Sequence, residues 1–164
     1  MKTILITGAT AGFGATFARR FVKDGHRVIA TGRRVERLEA LKAELGEHVH
    51  IAALDVTDTK AVAAFVAALP EAWRKIDVLV NNAGLALGLA SAWEAKLDDW
   101  DTMVATNITG VLHMTHAILP QMVERNDGLI LNIGSIAGSY PYPGGNVYGA
   151  SKAFVKQFLS LIHI

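Results

Sequence analysis

Three residues near one end of this 164-residue chain have the types and spacing to move a proton: Ser135, Tyr148 and Lys152, in the order Ser-x12-Tyr-x3-Lys. Tyr148 and Lys152 stand at i and i+4 and share one face of a helix. A lysine ammonium beside a phenol favours the phenolate, which readies the phenol to give or take a proton as a general acid/base. A serine hydroxyl beside them is suited to hold a substrate carbonyl or alkoxide oxygen. Taken singly, the three read as a packed aromatic, an exposed helix charge and a turn residue. It is the spacing of the set, in the setting described next, that argues for chemistry.

Such residues need a scaffold, and the pattern of the chain supplies one. Short β-branched or aliphatic runs at 3–7, 27–31, 49–55, 77–84 and 128–135 alternate with helical periodicity at 13–24, 34–45, 58–69, 98–125 and from 147 onward, the fourth broken near Asn107 and Gly110. The apolar runs do not alternate with polar residues, as expected of parallel strands covered on both faces. The expected fold is α/β: a Rossmann-type doubly wound parallel sheet with helices on both faces. The ligand-binding end of such a sheet is the carboxyl end of its strands, and Ser135 follows the fifth run.

The first run leads into "TGATAGFG", where Gly8, Gly12 and Gly14 open a helix. Glycines there permit a tight turn and bring backbone amides to a pyrophosphate, and the positive end of the helix dipole favours the anion. The spacing, Gly-x-x-x-Gly-x-Gly, departs from the usual dinucleotide fingerprint, but its place in the first βα unit supports the same reading. Gly8, Thr10, Ala11, Gly12, Phe13 and Gly14 form this part of the candidate cofactor site. At the end of the second run, where an NAD site places a carboxylate for the ribose 2′-hydroxyl, the chain reads Gly32, Arg33, Arg34. Arg33 offers a planar fork to a 2′-phosphate and Arg34 stands ready to stack or pair beside it, which favours NADP over NAD. The plainer reading is a solvated start to the next helix. Asp55 and Val56 after the third run suit an adenine edge and face, and Asn82, Ala83 and Gly84 in "NNAG" let a ribose approach or simply turn the chain.

Composition bounds the partners. With 16 Lys+Arg against 15 Asp+Glu, the formal charge is +1, which gives no overall pull toward nucleic acid or an anionic membrane. The chain has no cysteine, hence no disulfide or thiolate metal site, which fits a reducing compartment. The amino-terminal apolar run breaks into glycines before a signal segment forms, and no run approaches the ~18 residues of a membrane span. A small-molecule substrate, a cytoplasmic location and a single domain over residues 1–164 are the expectations. His113 and His116 lie three apart on a helix without a third ligand to suggest a metal, and none is expected. Trp73, Trp93 and Trp100 read as packing residues; Tyr140 and Tyr142 read as either cleft lining or surface turn.

These motifs together resemble the short-chain dehydrogenase/reductase family. "TGATAGFG", "NNAG", Asn107 in "VATNITG", Ser135 and "YGASK" stand in that family's order and approximate spacing over nearly the whole chain. Within it, "GHRVIATGRR", "NNAGLALG", "QMVERNDG" and "GSYPYPGGNVYGASKAFVKQF" resemble the NADP-dependent 3-hydroxy acid dehydrogenases, a group that includes serine and allo-threonine dehydrogenases and malonic semialdehyde reductases. The resemblance implies an oxidoreductase in which Tyr148 is the acid/base, Lys152 binds the nicotinamide ribose and tunes Tyr148, Ser135 orients the substrate, and Asn107 supports a proton-relay water at a helix irregularity. It also implies a homotetramer built on the helices of Asn107 and Tyr148.

The chain departs from the family at its end. Family members continue past the Tyr/Lys helix through a sixth strand, a loop over the nicotinamide, a mobile lid and a further helix and strand, whereas here the helix runs into "SLIHI". The expectation is therefore a domain lacking its C-terminal strands, with non-native residues from about 159 resembling translated sequencing-adaptor read-through, and a fifth strand left as an open edge. The alternative to an active reductase is a catalytically silent dinucleotide-binding fragment.

Overall fold

The computed structural model describes residues 1–159. The apolar tail thought to be non-native lies, apart from its first residue, outside the described residues. Five strands, β1 (Thr3–Ile6), β2 (Arg27–Gly32), β3 (Val49–Ala53), β4 (Val78–Asn81) and β5 (Leu129–Asn132), form one parallel sheet in the order β3-β2-β1-β4-β5. Six helices connect and flank them: α1 (Gly12–Lys23), α2 (Val35–Leu45), α3 (Thr59–Ala68), α4 (Leu97–Val104), α5 (Gly110–Arg125) and α6 (Asn146–Leu159).

The apolar runs of β1, β2 and β4 become buried strands for the reason the pattern implied, while β3 and β5 at the two edges are only partly covered. Ile4, Ile6, Val28, Ala30, Val78 and Val80 face one side with Ala18, Leu38 and Leu41 of α1 and α2. Leu5, Ile29 and Leu79 face the other with Val62 of α3 and Met114, Ile118 and Met122 of α5. Each apolar side chain fully removed from water in this way contributes about 1.5–3 kcal/mol. Strand order reverses between β1 and β4, so α1 and α5 lie on opposite faces and a crevice opens at the carboxyl ends of those two strands.

Local chemistry sets the ends of the elements. Asp58 caps α3 by accepting from Ala61 N at 3.0 Å, and Asn126 ends α5 in the left-handed region at φ 49°. The predicted break near Asn107 is a π-turn, Ala105–Thr109, between α4 and α5. Among the described residues β5 pairs with β4 alone, and Leu129 and Leu131 on it are 57% and 40% exposed. Trp73 packs as expected, 5.0 Å beneath the Arg27 guanidinium, but Trp93 is 85% exposed and is not a packing residue. It lies in a short turn before α4, and among the described residues no helix or strand covers it.

Candidate active site

The carboxyl ends of the strands surround a cavity of about 790 Å³. At the centre, β1 delivers the glycine turn. Gly8 and Gly12 adopt φ of 66° and 53°, conformations that side-chain-bearing residues rarely take. Ala11 precedes α1 without a side-chain cap and the first turn of the helix carries no acidic residue, so its orphan N–H groups face the cavity unneutralised. That is the donor set an anionic phosphate requires, and the residues present fit one.

Asn82 holds this turn in shape. Its Nδ2 donates to Thr7 O at 2.9 Å and Gly8 O at 3.1 Å, and the Thr7 hydroxyl accepts from both Asn82 N and Ala83 N at 3.0 Å. Both amide protons of Asn82 are thus committed to the turn, so its side chain acts on a ligand through the backbone it organises.

Beyond the ends of β2 and β3, on the side of β1 away from β4, lie Gly32, Arg33, Arg34, Leu54, Asp55 and Val56. Asp55 Oδ1 accepts from Thr57 N and Thr57 Oγ1 at 3.0 and 2.8 Å, which turns the chain after β3. At the far end stand Ser135, Tyr148 and Lys152. Ser135 is extended and accepts from Ala137 N at 3.2 Å, leaving its O–H to donate. The short 3₁₀ turn that follows, Ile136–Gly138, seats directly on α6: a Cβ at Gly138 would lie 2.6 Å from the Lys152 carbonyl carbon. This backbone contact sets Ser135 against the Tyr148 turn. Among the described residues the Tyr148 hydroxyl has no hydrogen-bond partner, and the Lys152 ammonium lies 5.9 Å from the centroid of its ring.

Every predicted site residue except Gly14 and Asn107 lines this one cavity. Gly14 is buried behind the turn. Asn107 is fully buried in the π-turn: its Oδ1 accepts from Leu85 N at 2.9 Å, and its Nδ2 donates to Leu85 O at 2.8 Å and Ser151 Oγ at 3.0 Å. Both of its amide protons are used inside the protein. Tyr140 and Tyr142 are 72% and 41% exposed and do not line the cavity; they belong to the surface turn before α6. His113 bonds Thr59 Oγ1 at 2.9 Å and Val56 O at 3.1 Å.

A family profile described as short chain dehydrogenase matches residues 2–163. The chain belongs to the short-chain dehydrogenase family. It is 65% identical over 155 residues to the NADP-dependent 3-hydroxy acid dehydrogenase of Salmonella typhi and 60% identical over 156 residues to the serine 3-dehydrogenase of Rhizobium radiobacter, covering 94% and 95% of this chain and 62% of each relative. The chain therefore spans about 62% of the length of the curated relatives it matches. A solved closed form of serine dehydrogenase complexed with NADP+ superposes with a TM-score of 0.96 at 60% identity, covering 97% of this chain and 64% of that one.

In this short-chain dehydrogenase, Lys152 is only 8% exposed and donates from Nζ to Ile133 O at 2.7 Å. Burial pushes its ammonium below the ordinary lysine value of 10.5. Because the folded value is depressed, the folded state resists the proton that the unfolded chain accepts. The cost of burying the charge is full below the folded value and is relieved as pH rises from there toward 10.5. Lys152→Met is accordingly expected to raise the melting temperature at pH 7 by about 2–4 °C, with a smaller gain at about pH 10. Melting curves of both proteins at the two pH values check this, and a variant that melts below the parent at pH 7 contradicts it.

Sequence reading did not find Leu54, Leu85, Ala86, Thr106, Ile133 and Gly134, which also line the cavity. Most present backbone or a small apolar surface, and nothing in their types distinguishes them from core or loop. Ser151 was also missed: fully buried, it accepts from Asn107 and donates to Tyr148 O at 2.8 Å, which ties the π-turn to the tyrosine's own helix turn.

Proposed function

We propose that this chain carries the dinucleotide site and acid/base residues of an NADP-dependent oxidoreductase that interconverts small 3-hydroxy acids, such as L-serine, L-allo-threonine or 3-hydroxypropionate, with their 3-oxo forms. The observation that carries the reading is the one cavity lined by Arg33 and Arg34, by the uncapped α1 turn and by Ser135, Tyr148 and Lys152, following the sheet from β2 through β1 to β5. The names of the relatives support the substrate class and the cofactor.

In this reading the nicotinamide, when bound, supplies or accepts the hydride. The Ser135 O–H holds the substrate oxygen, and Tyr148 Oη gives that oxygen a proton in reduction and takes it back in oxidation. Lys152, partly desolvated, places a positive charge near the phenol and a donor near the ribose. Asn107 positions Leu85 and, through Ser151, the turn of α6 that bears Tyr148. Gly32, Arg33 and Arg34 present no carboxylate against a 2′-phosphate.

The reading includes a cytoplasmic homo-oligomer. Support for assembly comes from an apolar groove of about 510 Å³ that includes Leu112, Ala117, Leu119 and Phe158. No helix of the described residues is long and apolar enough to cross a membrane.

The test uses two proteins: this chain, and a chimera in which residues 1–158 replace the corresponding segment of the Rhizobium radiobacter enzyme. NADPH is expected to bind both, and the chimera is expected to oxidise it with malonic semialdehyde and to prefer it over NADH. A chimera that binds NADPH without turnover leaves only a silent dinucleotide-binding unit. Equal use of NADH removes the argument from Gly32 and Arg33.

A further inference from the structure

Arg33 and Arg34 reach the cavity side by side, but their partners differ. Arg33 Nη1 lies 3.8 Å from Asp55 Oδ2, and its side chain is 68% exposed. A pair that long and that wet constrains the guanidinium little. Arg34, also exposed, instead makes a short bond, donating from Nη2 to Thr10 Oγ1 at 2.8 Å. Thr10 belongs to the turn that presents the α1 amides, so this bond joins the start of α2 to the phosphate-binding turn.

Thr10 is held from two further directions. A Cβ placed on Gly32 would lie 2.6 Å from Thr10 Cγ2, so the threonine methyl rests directly on the bare backbone at the end of β2. The preceding amide, Ala9 N, donates to Thr31 O at 2.8 Å. A backbone bond, a methyl contact and a charge-assisted hydrogen bond thus fasten the glycine turn to the end of β2. Gly32 then has a second reason to lack a side chain: a Cβ there would press on the Thr10 methyl and force that side chain to shift.

We propose that Arg34 is a positioning residue that acts on the phosphate-binding turn through Thr10, and that discrimination for a 2′-phosphate falls to Arg33. The inference rests on the dinucleotide reading above and divides its labour. An arginine that has already given one arm of its fork to Thr10 cannot offer that arm to a ligand phosphate without releasing the turn. Arg33 gives up only a long, solvated ion pair when it swings to a ligand. Arg34 therefore affects every ligand that places a pyrophosphate on the turn, and Arg33 affects only those with a 2′-phosphate.

The experiment compares the parent chain with Arg33→Ala, Arg34→Ala, Thr10→Val and the Thr10→Val/Arg34→Ala double variant. Each is titrated with NADPH and NADH at low ionic strength, and hydrogen exchange at the Ala9 amide is measured without ligand. Arg33→Ala is expected to weaken NADPH by about tenfold or more and to leave NADH within a factor of about two. Arg34→Ala and Thr10→Val are expected to weaken both ligands by the same factor, about three- to tenfold, with the double variant no worse than either single one. Both are expected to speed Ala9 exchange.

Loss of NADPH affinity alone in Arg34→Ala, or additive losses in the double variant, overturns the assignment. If the parent binds neither dinucleotide, the functional reading fails, and Ala9 exchange alone decides the clamp. Exchange unchanged in Arg34→Ala and Thr10→Val refutes it.

Discussion

Replacing Tyr148 with Phe in the chimera is expected to lower kcat by roughly 10²–10⁴-fold while NADPH affinity stays within a factor of about two. The ring remains, so the wall it forms in the cavity and its contact with Lys152 remain; only the proton-bearing oxygen is lost. That oxygen has no hydrogen-bond partner among the described residues, so its removal strands no buried donor or acceptor and leaves the fold intact. Stopped-flow or steady-state NADPH oxidation gives the rate, and fluorescence titration gives the affinity. A variant retaining a third or more of the parent's kcat would remove Tyr148 from the acid/base role. A variant that lost NADPH binding in step with rate would make it a binding residue instead.

Gly14→Ala is the second large expected effect, and its sign opposes helix propensity. Alanine inside a helix is ordinarily favoured over glycine by about 1 kcal/mol. Here the added Cβ would lie 2.4 Å from Gly8 O, 2.5 Å from Asn82 Nδ2 and 3.0 Å from Ala9 Cα. Two of these atoms are backbone, and the third is held by its bonds to Thr7 O and Gly8 O. None is the free tip of a flexible chain, so the turn must move and the Asn82 bonds must loosen. Overpacking of this kind costs about 1–3 kcal/mol, and the loosened bonds add to it. The expected result is a melting temperature lower by about 5–10 °C and no measurable NADPH binding, although position 14 touches no ligand. Calorimetry and titration test this together; unchanged melting with normal binding would show that the turn has slack it is not expected to have.

That contrast shows where the sequence was legible. The strands and their parallel sheet could be read because non-alternating β-branched runs have few places to go other than a sheet covered on both faces; their order in the sheet was not read. Many of the cavity-lining residues could be read because they follow strand ends, where backbone direction puts them in the crevice, though Leu54, Ile133 and Gly134 at such ends carried no distinguishing type. What sequence could not assign was the partner of each side chain. Gly14, Asn82 and Asn107 all read as ligand or water contacts, and all three turn out to spend their room or their protons on neighbouring backbone. An asparagine offers the same two donors whether a ribose or a carbonyl oxygen receives them, and only the fold decides which is nearer. Ser151 was passed over for the opposite reason, since a serine within a helix normally bonds its own backbone and carries no signal of a distant partner. Trp93 misled because hydrophobicity is a statement about transfer, and it requires an element that brings the residue to the interior.

The position of β1 also bears on how the chain assembles. As the first strand made and the middle one in place, it pairs with β2 nearby in sequence, yet its other edge waits for β4: the bond from Thr3 N to Asp77 Oδ2 spans 74 residues. Closing so long a loop is slow relative to forming the parallel β1–α1–β2 unit, so β4 pairing is the natural late event. Until it occurs, the unpaired side of β1 is a template for any other strand, and the chain's exposure to misassociation is greatest in that interval rather than in the finished fold.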